Sequence, residues 1–282
     1  MAAEVFSETA CALGEGPLWH PERGSLFWFD IKGHRMYELG GETERHWQFD
    51  RAVSAAGWVD HDRLLVATAR DLVLFDLTDG THGHLAELEA DKPETRCNDG
   101  RADPQGGFWI GTMGYDCETG MGAIYRYYRG ELRQLFSGIS IPNAISFTPD
   151  GRHAYFADTG VQKVWRVALD DDGWPDGEPQ LFLDLKPEGF APDGAVVDAV
   201  GNFWNAQWGA GRVACYAPDG SFQHAFKLPA SLTTCPAFGG PSLTTLFVTS
   251  AADGAPEGQT AAGKTFMLDT LVTGQREHRV IL

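Results

Sequence analysis

The segment NAISFTPDGRHAYFADTGVQKVWRV, from Asn143 to Val167, determines how the chain is expected to fold. An apolar stretch is followed by Pro149-Asp150-Gly151, then by an aromatic-rich stretch, a short polar loop and a third apolar stretch. Proline presets φ, aspartate can bond its own backbone, and glycine tolerates the positive φ that closes a hairpin. The segment therefore predicts three consecutive antiparallel strands.

The same pattern recurs along the chain. Clear copies begin at Gly16, Asn98 and Asp193, and weaker copies begin at Ala55 and Pro236. The second strands of the six copies lie near Phe27, Leu65, Trp109, Tyr155, Phe203 and Leu246. Their spacing of roughly 38 to 48 residues is typical of a propeller blade.

Further short β-like runs supply a fourth strand for each copy: HWQFD from His46, LRQLFS from Leu132, PQLFLDL from Pro179 and SFQHAFKL from Ser221. No segment keeps a period of 3.6 residues, so no long helix is expected. The sequence predicts an all-β, six-bladed β-propeller with four-stranded antiparallel blades, spanning residues 1–282 as a single domain. A two-sheet sandwich is the structural alternative. The end segments EVFSET and EHRVIL are expected to pair in the last blade and close the ring.

Composition narrows the range of partners. Asp and Glu total 39 against 22 Lys and Arg, giving a formal net charge of −17. Such a field repels nucleic acid and anionic membranes and favours a neutral small molecule or a cation. The five cysteines form no Cys-x-x-Cys pair, and the N-terminus resembles no signal peptide, so a cytoplasmic location is expected.

The repeats can be compared at the position just before each first strand. In a propeller the residues at this position lie around one mouth of the central channel. Four of the six copies carry a carboxylate or an amide there: Glu15, Asn98 followed by Asp99, Asn143 and Asp193. The two weak copies carry Ser54 and Thr234-Cys235. Carboxylate and amide oxygens that converge on an axis form a hard cation site suited to Ca²⁺, Mg²⁺ or Mn²⁺. The site would keep positions open for substrate.

Seven short motifs occur in order over nearly the whole chain: LGEGPLW, RCNDG, GTMG, IPNAISF, PDGAVVD, FWNAQWGAGRV and FGGPSLTTLFVTSA. Together they resemble the SMP-30/gluconolactonase/regucalcin family of six-bladed propellers, particularly its bacterial sugar-lactonase branch. The resemblance implies a hydrolase of carboxylic ester bonds that opens a small neutral sugar lactone to the aldonic acid.

The resemblance also implies a metal site and a catalytic group. Glu15, Asn143 and Asp193 would hold one divalent ion, either Ca²⁺, Zn²⁺, Mg²⁺, Mn²⁺ or Fe²⁺. Asp193 would in addition be the acid/base residue. Its carboxylate is thus predicted to point at a metal, whereas those of Asp150, Asp176 and Asp219, in the other three Pro-Asp-Gly turns, point at water.

Substrate contacts are implied for three residues. Arg96 matches the substrate-binding arginine of the family, and Asn98 would contact the substrate or a metal-bound water. Asp116 stands where some members carry a substrate-binding glutamate, with Glu118 as a neighbouring candidate.

Two other functions fit the same scaffold. One is a phosphotriesterase-like hydrolase, and the other is a calcium-binding or protein-interaction propeller without turnover. The pairing of Arg96 with Asn98 favours catalysis, because a purely structural ion does not require an arginine at the same mouth. The sequence leaves the oligomeric state open, as a monomer or a weak dimer.

Overall fold

The computed structural model describes residues 3–282. It contains twenty-four strands arranged as six four-stranded antiparallel sheets, and one 3₁₀ turn at Thr159–Val161. The sheets form a ring, so the predicted six-bladed β-propeller is confirmed. Among the residues described, no helix has the length and apolarity needed to span a bilayer.

In the first three blades the strands follow chain order from the centre outward. Blade 1 comprises β2 (Gly14–His20), β3 (Ser25–Asp30), β4 (Arg35–Gly40) and β5 (Thr43–Gln48). Blade 2 comprises β6 (Val53–Asp60), β7 (Arg63–Thr68), β8 (Asp71–Asp76) and β9 (His82–Glu87). Blade 3 comprises β10 (Thr95–Ala102), β11 (Phe108–Gly114), β12 (Gly122–Tyr128) and β13 (Glu131–Ile139).

The fourth and fifth blades repeat this order, and the sixth combines both ends of the chain. Blade 4 comprises β14 (Pro142–Phe147), β15 (His153–Asp158), β16 (Lys163–Ala168) and β17 (Gln180–Asp184). Blade 5 comprises β18 (Ala191–Val197), β19 (Phe203–Trp208), β20 (Arg212–Tyr216) and β21 (Phe222–Lys227). Blade 6 comprises β22 (Thr233–Gly239), β23 (Thr245–Ser250), β24 (Thr265–Asp269) and β1 (Glu4–Ser7).

The apolar residues pack between blades. Each of the six larger core clusters draws its side chains mainly from two adjacent blades, and together they cover every neighbouring pair around the ring. Strand β3, with sequence SLFWFD, is buried along its whole length, whereas the outermost strand β5, TERHWQ, is almost entirely exposed. Blade-to-blade burial of apolar surface is therefore the main stabilising force of the ring.

The two chain ends behave differently. Strand β1 pairs with β24, with Glu4 opposite Met267, so the expected role of EVFSET in ring closure is confirmed. The expectation for EHRVIL is wrong, because residues 277–282 form no strand of blade 6. Their backbone bonds to the second and third blades instead: the Val280 amide donates to the Trp58 carbonyl at 2.9 Å and the Ile281 amide to that of Gly106 at 2.8 Å.

The physical reason lies in what this segment buries. Val280 fills the space above Gly57, where a Cβ atom would touch its side chain, and it joins the core between blades 2 and 3. Glu277 pairs with the buried Arg101 of β10. If residues 277–282 formed a strand at the outer edge of blade 6, Val280 could not fill the space at Gly57 and Arg101 would lack its ion-pair partner.

All six innermost strands share one irregularity. Each has a register shift in its first half, between Glu15 and Leu18, Val53 and Ala55, Cys97 and Gly100, Asn143 and Ser146, Pro192 and Ala195, and Thr233 and Pro236. Such bulges redirect a side chain out of the regular alternation of a strand. Asn98 and Asp193 lie inside these bulges, and Glu15 and Asn143 are the paired residues at which their bulges begin, so all four lie within the strands rather than before them.

Candidate active site

A cavity of about 300 Å³ lies at one end of the central channel. Its walls come from the beginnings of innermost strands and from the loops that join second and third strands. These belong to the same end, because an antiparallel second strand finishes where the first begins. The cavity is lined by Ala12, Leu13, Glu15, Lys32, Arg96, Asn98, Met113, Tyr115, Cys117, Ile141, Asn143, Thr159, Asp193, Trp208 and Asp253.

Glu15 and Asp193 are the two buried carboxylates of this cavity, with residue exposures of 4% and 6%. Each precedes a glycine. Gly16 adopts φ +54°, and a Cβ atom there would overlap the Ser54 carbonyl oxygen, while a Cβ atom at Gly194 would lie 2.5 Å from the Cys235 Cβ. The glycines allow neighbouring innermost strands to approach closely, which brings both carboxylates toward the channel axis.

The pKa values of both carboxyl groups are raised. Burial, followed by the charge of Asp99, raises the pKa of Glu15 to about 8. Burial, followed by the charges of Glu15 and Asp99, raises the pKa of Asp193 well above its usual value. Among residues 3–282 neither carboxylate forms a salt bridge. A buried pair of this kind is stabilised by a proton or by a cation placed between its members.

The two asparagines form a hydrogen-bonded chain beside the carboxylates. The Asn143 Nδ2 donates to Thr159 Oγ1 at 2.8 Å, and Thr159 Oγ1 donates to the Pro192 carbonyl at 2.6 Å. The Asn98 Nδ2 donates to the Pro142 carbonyl at 3.0 Å and to Asn143 Oδ1 at 3.2 Å. These hydrogen bonds link blades 3, 4 and 5. Asn143 Oδ1 accepts one hydrogen bond, from Asn98, and keeps a second lone pair for another partner.

Arg96 is buried at the wall of the cavity. Its Nη1 donates to the Cys97 carbonyl and to Asn98 Oδ1, both at 2.8 Å. It forms no salt bridge within the described part of the chain. Because the guanidinium group is planar and carries five N–H donors, Arg96 keeps donors available for a ligand in the cavity.

Asp116 lies in the exposed loop between β11 and β12. Its backbone amide donates to Glu118 Oε2 at 3.2 Å, and neither of these two carboxylates lines the cavity. Their neighbours Tyr115 and Cys117 do. A substrate contact by Asp116 therefore stays a prediction. Trp208, the last residue of β19, is part of the wall.

Two aspartates that the sequence comparison did not select hold the site loops. Asp30, at the end of β3, accepts hydrogen bonds from the Ala12 and Leu13 amides, both at 3.0 Å. Asp158, at the end of β15, accepts them from the Ser140 and Ile141 amides at 2.9 and 3.1 Å. Their shared place in the repeat, at the last position of the second strand, was a usable signal. They fix the segments that lead into Glu15 and Asn143.

Other residues at the mouth were also missed. Thr159 follows the second strand of blade 4, and an exposed ion pair between Lys32 and Asp253 joins loops of blades 1 and 6. The three remaining Pro-Asp-Gly aspartates are exposed, as predicted, and Asp150 and Asp219 accept hydrogen bonds within their own turns.

The donor set fits a divalent cation. Glu15 and Asp193 supply carboxylate oxygens and Asn143 supplies an amide oxygen, which are ligands preferred by hard cations. Among residues 3–282 no group of three or more His, Cys, Asp or Glu side chains has the arrangement of a metal site. The donors here are instead two carboxylates and one amide. Three protein donors leave positions open for other ligands.

Comparisons with known proteins agree over almost the whole chain. Residues 13–252 match the sequence model of a family described as SMP-30/Gluconolactonase/LRE-like region. A predicted sugar lactone lactonase of Rhizobium meliloti is 42% identical, covering 98% of this chain and 96% of that protein. A pentonolactonase of Haloferax volcanii is 35% identical, covering 96% of each. The crystal structure of a calcium-binding protein, regucalcin, from Agrobacterium tumefaciens superimposes with a TM-score of 0.97 at 40% identity, covering 100% of this chain and 98% of that one.

Proposed function

This chain belongs to the SMP-30/gluconolactonase/LRE-like family, and on that premise we propose that it is a hydrolase that opens the ring of a sugar lactone to give the aldonic acid. The names of its relatives from Rhizobium meliloti and Haloferax volcanii support lactone hydrolysis. The observation that carries the proposal is the meeting of two buried carboxylates with Arg96 and Asn98 in one cavity. The excess of acidic residues agrees with an uncharged substrate.

We propose that Glu15, Asn143 and Asp193 hold one divalent ion, for which Ca²⁺, Mg²⁺, Mn²⁺, Zn²⁺ and Fe²⁺ are candidates. Such an ion would act as a Lewis acid on the lactone carbonyl. The regucalcin likeness supports a divalent ion, since that relative is described as calcium-binding. The hydrogen bond from Gly16 to Glu15 Oε2, at 2.9 Å, holds this carboxylate in place.

Asp193 is proposed as the acid/base residue. Its carboxylate takes the proton from a water molecule as the water oxygen attacks the lactone carbonyl carbon. The bond between that carbon and the ring oxygen then breaks, and the proton passes from Asp193 to the departing oxygen. Burial raises the pKa of Asp193 in the metal-free site, whereas a bound cation would lower it, so the proposed role is supported by the position of Asp193 in the cavity.

Arg96, Asn98 and Asp116 are proposed to bind the substrate. Arg96 offers N–H donors to the lactone oxygens, and its bond to Asn98 Oδ1 orients both side chains. Asp116 would accept hydrogen bonds from sugar hydroxyl groups if the β11–β12 loop folds over the mouth. The cavity of about 300 Å³ has room for one monosaccharide lactone and several waters.

Metal-stripped protein reconstituted with single divalent ions tests the proposal. Acid release is followed against a panel of γ- and δ-lactones of sugar acids. The expected result is ion-dependent hydrolysis well above the spontaneous rate, and an absence of acceleration with every ion would refute the function. Ion binding without turnover would instead indicate a calcium-binding propeller.

Asp193→Asn tests the acid/base role. We expect kcat to fall by about 10²- to 10⁴-fold, as is usual when a general acid–base group is removed. Asp150→Asn is the matched control, since it alters the same tripeptide in an exposed turn. If Asp193→Asn kept both ion binding and most of the turnover rate, the acid/base role would be wrong.

A further inference from the structure

Asp99 is a third carboxylate close to the candidate metal site. It follows Asn98 in β10 and lies in the bulge of that strand, with an exposure of 3%. It is not among the residues that line the cavity, so it lies behind the wall rather than on it. It forms no salt bridge within residues 3–282.

The Asp99 carboxylate holds the bulge of the next blade. Its Oδ2 accepts a hydrogen bond from the Ile145 amide at 2.7 Å. Ile145 lies within the register shift of β14, where the extra residue of a bulge leaves a backbone amide without a ladder partner. The bond from blade 3 supplies that partner.

The segment of β14 that Asp99 holds through Ile145 begins at Asn143. Between Asn143 and Ile145 stands Ala144, which is fully buried and adopts φ +58°, a conformation that residues with a Cβ atom rarely take. The unusual backbone turns the Asn143 side chain toward Asn98 and Thr159. Ile145, whose amide donates to Asp99, directly follows Ala144, so this hydrogen bond holds the unusual backbone conformation at Ala144 in place.

The charge of Asp99 lies close to the candidate metal site. Its neighbour Asn98 lines the cavity, and its bond to the Ile145 amide places the carboxylate two residues from the proposed ligand Asn143. Because Asp99 is buried and little solvent screens it, its negative charge attracts a cation bound in the cavity.

We propose that Asp99 is a positioning residue of the candidate metal site, which holds the bulge that carries Asn143 and strengthens the binding of a divalent cation by its charge. This inference rests on the metal site of the proposed function. Residues that orient metal ligands from behind typically contribute about 10- to 100-fold to metal affinity.

Two substitutions separate the two contributions. Asp99→Asn keeps an oxygen that can accept from the Ile145 amide and removes only the charge. Asp99→Ala removes both. Asp198→Asn is the control, because Asp198 is an equally buried carboxylate that accepts backbone amides, from Val200 at 3.0 Å and Asn202 at 2.8 Å, at a site away from the cavity.

The experiment is calorimetric titration of Ca²⁺ and Mn²⁺ into the metal-stripped full chain, with the melting temperature of the metal-free protein measured in parallel. We expect Kd to rise about 10-fold in Asp99→Asn and up to about 100-fold in Asp99→Ala. The metal-free Asp99→Asn protein is expected to melt no lower than wild type, since a repulsion among buried carboxylates has been removed. Asp198→Asn is expected to melt lower with an unchanged Kd.

The outcomes are decisive in both directions. A Kd for Asp99→Asn within threefold of wild type would overturn the inference, and so would a loss of affinity accompanied by a lowered metal-free melting temperature. If wild type bound the ions but hydrolysed no lactone, the proposed function alone would fail. If it hydrolysed lactones while Asp99→Asn bound ions normally, the inference alone would fail. If it bound none of the five candidate ions and hydrolysed no lactone, both would fail.

Discussion

The ion pair between Arg101 and Glu277 allows a test of how the C-terminal segment is held. The two side chains are only 10% and 5% exposed, and Trp58 Nε1 donates to the Glu277 carbonyl at 2.9 Å beside them. Glu277→Leu keeps a side chain of similar size and removes the only carboxylate paired with Arg101 in the described residues. The guanidinium group would then stay buried without its ion-pair partner, with the carboxylate of Asp99 as a more distant negative charge.

The magnitude follows from the burial. Breaking one partner of a buried ion pair costs about 3 to 5 kcal/mol. For 282 residues at ~2.1 cal/mol/K each, the unfolding entropy is about 0.6 kcal/mol/K. The melting temperature is therefore expected to fall by about 5 to 8 °C.

Thermal unfolding followed by circular dichroism, with a chelator present, measures this effect without interference from bound ions. The double variant Arg101→Met/Glu277→Leu should recover most of the loss, because a buried ion pair can be replaced by apolar side chains at little cost. A Glu277→Leu protein that melts within about 1 °C of wild type, or a double variant no more stable than the single one, would refute the reasoning.

Two further predictions concern the site. Gly16→Ala should lower stability by about 1 to 3 kcal/mol, because the new Cβ atom overlaps the Ser54 carbonyl oxygen, whereas Gly41→Ala, which shares a positive φ but has no atom within 4 Å of the new Cβ, should cost less. Chemical denaturation of the two variants makes the comparison, and equal losses would contradict the close approach of strands at Gly16. Arg96→Ala should raise KM for the lactone by about 10- to 100-fold, as expected for a lost charge-assisted hydrogen bond. Steady-state kinetics with the exposed Arg133→Ala as control would contradict this if the two variants had the same KM.

The strand repeat was predictable because its signals are local. The turn at Pro149-Asp150-Gly151 and the aromatic strand that follows it need no distant partner to be recognised, and strand β15 begins at His153 as that turn requires. Comparison of the repeats also brought Glu15, Asn98, Asn143 and Asp193 to one position, because each copy places its first strand in the same way around the ring.

Other features depended on contacts between distant segments. EHRVIL ends in three consecutive apolar residues and was expected to pair in blade 6, but Glu277 has its partner in β10, which no local pattern reveals. The loop holding Asp116 was located correctly by sequence order, yet its side-chain direction depends on loop packing. Asp99 stands beside Asn98 in the sequence, but its hydrogen bond with the Ile145 amide joins two blades, which no local pattern reveals.

By itself, the sequence determined the number of blades, the order of their strands and the side chains that each blade presents to the channel, because these follow from patterns within a single repeat. Only the tertiary structure decided how the six bulges redirect Glu15, Asn143 and Asp193 into one cavity, and how the C-terminal segment crosses to blades 2 and 3. Both depend on close approaches between strands far apart in sequence, such as Gly194 against Cys235. Such contacts are set by the closure of the ring and by the burial of charged groups, which no stretch of sequence encodes alone.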